Sequence, residues 1–142
     1  SIVDRAIGDS AAPGVVVAVG RHGRLVHLRG YGTLDWDAGS PAADPATLYD
    51  LASLTKVVAT TTAAMLLEEE GALVLDRPVR DYLPELAAPD KAAVTVRMLL
   101  THTGGFEAGA ALHTRVRGLP AYVAEIDARP LRYAPGTQTV YS

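Results

Sequence analysis

The sequence contains no cysteine, which excludes a disulfide framework and a thiolate metal site. It has no excess of positive charge either: 13 Lys and Arg against 16 Asp and Glu give a net charge of −3, so nucleic acid is not expected as a partner. No apolar run reaches the length of a transmembrane helix, and we expect no membrane segment. The localisation of this predicted soluble protein stays open between a bacterial periplasmic or secreted site and the cytoplasm.

Lysine is scarce in the chain. Lys56 and Lys91 are the only two lysines, and arginine carries the other positive side-chain charges. Arginine cannot release its proton in a protein, whereas a desolvated lysine can. A reaction that requires a neutral amine would explain why a lysine is kept at position 56.

Size and composition are those of one globular domain. The chain has 142 residues, of which 49% are apolar and 20% charged. We expect a single incomplete domain, in which residues 1–47 form the remnant of a helix and a β-hairpin that belongs to a sheet. Residues 48–142 are expected to form a helical lobe.

Turn and periodicity signals place the elements. Two extended runs, Val15–Val19 and Leu25–Leu28, flank a turn at Gly20–Gly23 and predict the hairpin. Thr95 is expected to cap a short helix that ends at the Gly104–Gly105 pair. The predicted helices cover Val57–Leu67, Val79–Leu83, Val96–His102 and Leu119–Ala128, with loops over Thr33–Thr47 and from Pro89, and an extended piece over Thr137–Ser142.

The central stretch is Ser53-Leu54-Thr55-Lys56, at the start of the longest helical run. Positions three apart share a helix face, so the hydroxyl of Ser53 and the amine of Lys56 are expected within reach of each other. One interpretation is a nucleophile beside its base. The other is an N-cap serine and a solvated lysine, although a capping box would place Glu or Gln where Lys56 stands.

Three ordered motifs carry a resemblance to a known family. They are Leu48-Tyr49-Asp50-Leu51-Ala52-Ser53-Leu54-Thr55-Lys56, Leu99-Leu100-Thr101-His102-Thr103-Gly104-Gly105, and Pro135-Gly136-Thr137 followed by Tyr141-Ser142. In this order and at these separations the chain resembles the serine β-lactamase-like family. That family includes class C β-lactamases, D-alanyl-D-alanine carboxypeptidases and related serine esterases.

The resemblance implies a fold. It is an α/β fold of the α+β type, with an antiparallel sheet flanked by helices plus a helical lobe, as in β-lactamases and transpeptidases. The chain would form the N-terminal part of it, because the sequence stops at Ser142, one residue before the expected asparagine of a Tyr-x-Asn element. The remaining half is expected from a continuation of the chain, another chain or a swapped neighbour.

The resemblance also implies site residues. Ser53 is expected to be the acylated nucleophile, Lys56 its base, and Tyr141 a partner in proton transfer that protonates the leaving group. The backbone N–H of Ser53 is expected to be one oxyanion-hole donor. No organic cofactor is implied, and no metal site is expected because the four histidines form no H-E-x-x-H pattern (His22, His27, His102 and His113).

The function implied is that of a serine hydrolase, an enzyme that forms an acyl-enzyme from a small-molecule or peptide substrate: a β-lactam, a D-alanyl peptide or a small ester. The alternative is a non-hydrolytic β-lactam- or peptidoglycan-binding module, or an inert interaction module, of the same fold. The choice of acyl group, the speed of deacylation and the oligomeric state stay open at this point.

Overall fold

The computed structural model describes residues 1–142. The chain divides into two compact units, Ser1–Leu51 and Ala52–Ser142. This boundary lies slightly later than the predicted change from hairpin to helical lobe after Thr47, and the assignment of both parts to one domain stays a prediction. No helix in the structure is long and apolar enough to cross a bilayer.

The first unit contains helix α1 (Ile2–Gly8) and the strands β1 (Gly14–Arg21) and β2 (Arg24–Gly32). The strands form a two-stranded antiparallel sheet, so the predicted hairpin is confirmed, with longer strands than expected. The connecting residues His22 and Gly23 both have positive φ, of 50° and 72°, as a two-residue hairpin turn with the twist of the strands requires.

A loop follows the hairpin, as predicted for residues 33–47. Its backbone passes directly over β2: the amide of Ala43 donates to the carbonyl of Gly32 at 3.0 Å. A Cβ atom at Gly30 would lie 1.9 Å from the carbonyl oxygen of Ala43, so only glycine permits this approach. The loop therefore covers part of one strand without forming a third.

The second unit contains helices α2 (Thr61–Glu69), α3 (Val96–Leu100) and α4 (Leu119–Ala128). The side chain of Thr95 accepts a hydrogen bond from the amide of Met98, which confirms the predicted cap. The predicted end of α3 at the glycine pair is wrong, because His102 already has a left-handed backbone with φ of 57°.

Several short elements differ from expectation. A 3₁₀ turn at Pro89–Lys91 stands where a loop was predicted, and the predicted helix after Pro78 is one 3₁₀ turn, Val79–Asp81. A further 3₁₀ turn, Leu112–Thr114, was not predicted. Residues 137–142, predicted to be extended, belong to no strand of the sheet, which contains only β1 and β2.

The core of the second unit is small and contains a buried charge. Val79, Leu86 and Val94 form its centre. Lys91 is only 1% exposed, and its ammonium donates to the carbonyls of Asp127 and Arg129 at 3.0 and 2.7 Å. Its third partner is the carboxylate of Asp90, at 3.0 Å. All three N–H donors of Lys91 are thus satisfied inside the unit.

Candidate active site

Ser53 and Lys56 lie together at the start of the second unit. Ser53 comes directly before the first helical turn, after Ala52, whose backbone is left-handed with φ of 43°. The ammonium of Lys56 donates a hydrogen bond of 3.3 Å to the hydroxyl of Ser53. The Ser53 hydroxyl and the Lys56 amine are therefore as close as the three-residue spacing predicted.

The backbone that carries Lys56 is not the continuous α-helix that the sequence predicted. Residues Lys56–Thr60 form a π-turn ahead of α2. The carbonyl of Lys56 accepts from the amide of Thr61 and also from its hydroxyl, at 2.9 Å. The Thr61 hydroxyl thus reinforces the wider turn, a local geometry that is frequent at functional sites.

Tyr141 reaches the same place from the other end of the unit. The Nζ atom of Lys56 lies 5.1 Å from the centroid of the Tyr141 ring. Hydrogen bonding from Ser53, and then from Lys56, lowers the pKa of the Tyr141 phenol, and the positive charge of Lys56 acts in the same direction. The structure thus brings the three predicted site residues into one cluster.

His102 is a neighbour of the cluster that sequence reasoning assigned to no site. Its ring centroid lies 4.6 Å from that of Tyr141, at an interplanar angle of 49°. Its position inside the motif Leu99–Gly105 was the one sequence feature that pointed to His102. Its contact with Tyr141 could not be predicted, because Tyr141 lies far away along the chain.

The cluster is open to solvent. Ser53 is exposed, Lys56 is half-buried and Tyr141 is 57% exposed. A largely apolar cavity of about 410 Å³ lies elsewhere in the second unit, between α4 and the core, and none of the three residues lines it. The hydroxyl and amine that could react lie at the cluster and not in this cavity.

No group of three or more His, Asp or Glu side chains in the described chain is placed to hold a metal ion. The groups available for chemistry at the cluster are a hydroxyl, an amine and a phenol. Together they can remove, hold and return a proton beside a nucleophilic oxygen.

Comparison with known proteins places this cluster in context. Residues 1–142 match the family model described as Beta-lactamase. The chain belongs to the beta-lactamase family. It is 32% identical over 161 residues to Esterase EstB of Burkholderia gladioli, an alignment that covers 100% of this chain and 41% of EstB.

Solved structures of related proteins have the same fold as this chain. A class C beta-lactamase superposes with a TM-score of 0.79 at 29% identity, covering 97% of this chain and 37% of that one. A D-alanine carboxypeptidase, AmpC from Burkholderia cenocepacia, gives 0.74 at 28% identity, covering 95% and 36%. The fold is beta-lactamase/transpeptidase-like, and the chain spans well under half the length of these relatives.

Proposed function

We propose that the protein is a serine hydrolase in which Ser53 attacks an acyl carbonyl and forms an acyl-enzyme. The observation that carries this proposal is the 3.3 Å hydrogen bond between Lys56 Nζ and Ser53 Oγ, with the centroid of the Tyr141 ring 5.1 Å from the same Nζ. A nucleophile and a base within hydrogen-bond reach, with a third group beside them, are the features that covalent catalysis requires. Family membership supports the same assignment.

In the proposed reaction, the neutral amine of Lys56 takes the proton of the Ser53 hydroxyl. The Ser53 oxygen then bonds to the carbonyl carbon and gives a tetrahedral intermediate. When the bond to the leaving nitrogen or oxygen breaks, Tyr141 protonates that atom and recovers a proton from Lys56. Water then attacks the ester carbonyl and releases the acid and Ser53.

The developing oxyanion needs hydrogen-bond donors. The backbone N–H of Ser53 is the proposed first donor, because Ser53 lies directly before a helical turn, where amides have no partner inside the helix. Removal of one such donor typically costs about 2.7–4 kcal/mol of transition-state stabilisation. A second donor is expected from outside the described residues.

The proposed substrates are β-lactams, D-alanyl peptides or small esters. This range follows from relatives that are named as an esterase, a class C beta-lactamase and a D-alanine carboxypeptidase. All three substrate classes present a carbonyl carbon with a nitrogen or oxygen leaving group, which the steps above accommodate. The proposed chemistry uses no cofactor.

The test is covalent labelling of the full-length protein. A fluorophosphonate should add one label to the peptide that carries Ser53, because an activated serine attacks this electrophile and ordinary serines do not. Ser53→Ala should abolish the label, whereas the matched control Ser40→Ala should be labelled like the parent. Mass spectrometry of the digested protein reads the result.

Two further outcomes separate the alternatives. A label at another residue, or undiminished labelling of Ser53→Ala, would overturn the assignment of the nucleophile. Stable acylation of Ser53 by benzylpenicillin, without turnover of nitrocefin or p-nitrophenyl acetate, would instead identify a non-hydrolytic binding module.

A further inference from the structure

We propose that His102 is a positioning residue that holds Tyr141 against Ser53 and Lys56. The inference rests on the proposed function, because His102 is proposed to act on catalysis only by positioning Tyr141, whose phenol takes part in the proposed reaction. His102 makes no hydrogen bond to Ser53 or Lys56 in the structure, so it acts on them only through Tyr141.

His102 binds the chain on both sides of Tyr141. Its carbonyl accepts a hydrogen bond from the amide of Val140 at 2.9 Å, and its Nδ1 atom accepts from the amide of Ser142 at 3.4 Å. Its ring packs on the Tyr141 ring between these two bonds, with the centroids 4.6 Å apart. One residue therefore fixes the backbone before and after the phenol and the ring itself.

The backbone of His102 explains how one residue makes these contacts. It follows the end of α3 and has φ of 57°, a left-handed conformation in which histidine, asparagine and aspartate are enriched among non-glycine residues. The left-handed turn stops the helix, and the His102 carbonyl is bound by groups outside it: the amide of Val140 and the hydroxyl of Tyr133, at 3.4 Å.

At the start of the segment that carries Tyr141, the amide and hydroxyl of Thr137 donate to the carbonyl of Ala134, and the support nearer the phenol comes from His102. Residues 137–142 belong to no strand, and the backbone amides of Val140 and Ser142 both donate to His102. A neighbouring tether, from the amide of Gly136 to the carbonyl of Thr103, ends before the phenol. A shift of about 1 Å at a reacting group can lower the rate roughly 10²-fold. Loss of the His102 contacts should therefore lower the rate of Ser53 acylation.

The hydrogen bond from Ser142 depends on an acceptor in the side chain at position 102, the Nδ1 atom of the ring. Phenylalanine would keep the stacking surface and lose this acceptor. Asparagine would keep a side-chain acceptor and tolerate the left-handed backbone but lose the ring.

The test is a double-mutant cycle in the full-length protein, read as the rate at which benzylpenicillin acylates Ser53, because the departing β-lactam nitrogen has to be protonated. His102→Phe should lower this rate about 10- to 100-fold in the parent. In a Tyr141→Phe background the same substitution should change it by less than about twofold, because its effect passes through the phenol. His102→Asn should show the same pattern with a smaller loss, and it provides the comparison if His102→Phe does not fold.

A second readout follows the phenol directly. The contacts with Ser53 and Lys56 hold the pKa of Tyr141 below its ordinary value of 10.0. In His102→Phe the NMR titration of ¹³C-labelled Tyr141 should move back toward that value, because the phenol leaves these partners. An unchanged Tyr141 titration would overturn the inference.

The outcomes of the cycle separate the two proposals. If His102→Phe lowers the rate equally in both backgrounds, the positioning role of His102 is overturned, while the proposed serine hydrolase function is not affected. Acylation of Tyr141→Phe by benzylpenicillin at the parental rate would instead overturn the role of Tyr141 in the proposed function, and the role of His102 with it.

Discussion

Among single residues, the two lysines of the chain have opposite surroundings. Lys91 is enclosed, and its ammonium is bound by three oxygen atoms. Lys56 is half-buried, and its ammonium is near one hydroxyl and the ring of Tyr141. Lys56 lies beside a hydroxyl from which it could take a proton, whereas the ammonium of Lys91 contacts only carbonyl and carboxylate oxygens, so Lys56 has the position of a base and Lys91 does not.

Lys56→Arg tests the base. Arginine keeps the charge and most of the length but cannot become neutral, so acylation of Ser53 should fall by about 10²- to 10⁴-fold, the range for loss of general-base catalysis. The thermal unfolding midpoint should stay near that of the parent, because position 56 is only half-buried. Stopped-flow acylation kinetics provide the measurement. Acylation at the parental rate would show that Lys56 is only a local charge.

On the scale of elements, the 3₁₀ turn Pro89–Lys91 is clamped to the end of α4. The ammonium of Lys91 binds the carbonyls of Asp127 and Arg129, which have no partner inside the helix. The carboxylate of Asp90 accepts from the amide of Leu131 at 2.9 Å. That bond, and then the bond from Lys91, lowers the pKa of Asp90. The clamp thus caps a helix with side chains from a distant turn.

Lys91→Met tests the clamp. The two carbonyls at the end of α4 would lose their donor, at about 1–3 kcal/mol for each acceptor left unsatisfied, so we expect a total loss of about 2–6 kcal/mol in the free energy of unfolding. The matched control is Arg97→Met, which removes an exposed cation paired with Asp76 and should cost only a small part of that loss. Equal denaturant midpoints for the two variants would contradict the proposed contribution of the Lys91 contacts to the free energy of unfolding.

At the level of the whole molecule, much apolar surface of the 142-residue chain is exposed. Helix α2 has no buried residue, although apolar and small side chains make up much of it. Leu25 and Val26 on the hairpin are 60% and 61% exposed, and both strands of the sheet are edge strands. Exposed apolar side chains on open edges are sites of association.

We therefore expect the 142-residue chain, purified by itself, to bind the dye ANS strongly and to self-associate. Replacement of Leu25 and Val26 by threonine should lower dye fluorescence and the associated fraction, whereas replacement of the exposed Arg24 by alanine should not. Fluorescence titration and light scattering give the readout. A monomeric chain that binds no dye would contradict this expectation.

Much of the secondary structure could be predicted because its signals act within a turn or two of the chain. The bounds of α4, the Thr95 cap and the hairpin turn depend on nearby residues alone. The approach of Lys56 to Ser53 belongs to the same class, since three residues of helical backbone bring the side chains together. These features follow from backbone geometry and short-range hydrogen bonds.

Packing between segments that are distant in the sequence decided the features that could not be predicted, which are the burial of Lys91 and the contacts of His102. The sequence analysis assigned no role to Lys91, yet Lys91 is buried and its ammonium contacts the carbonyls of Asp127 and Arg129. His102 lies 40 residues before Ser142, and their hydrogen bond forms only when the chain closes that loop. No local pattern reports such a closure, because its free energy depends on which surfaces meet. The sequence alone therefore determined the chemistry available at Ser53, and the tertiary structure decided which groups surround Tyr141.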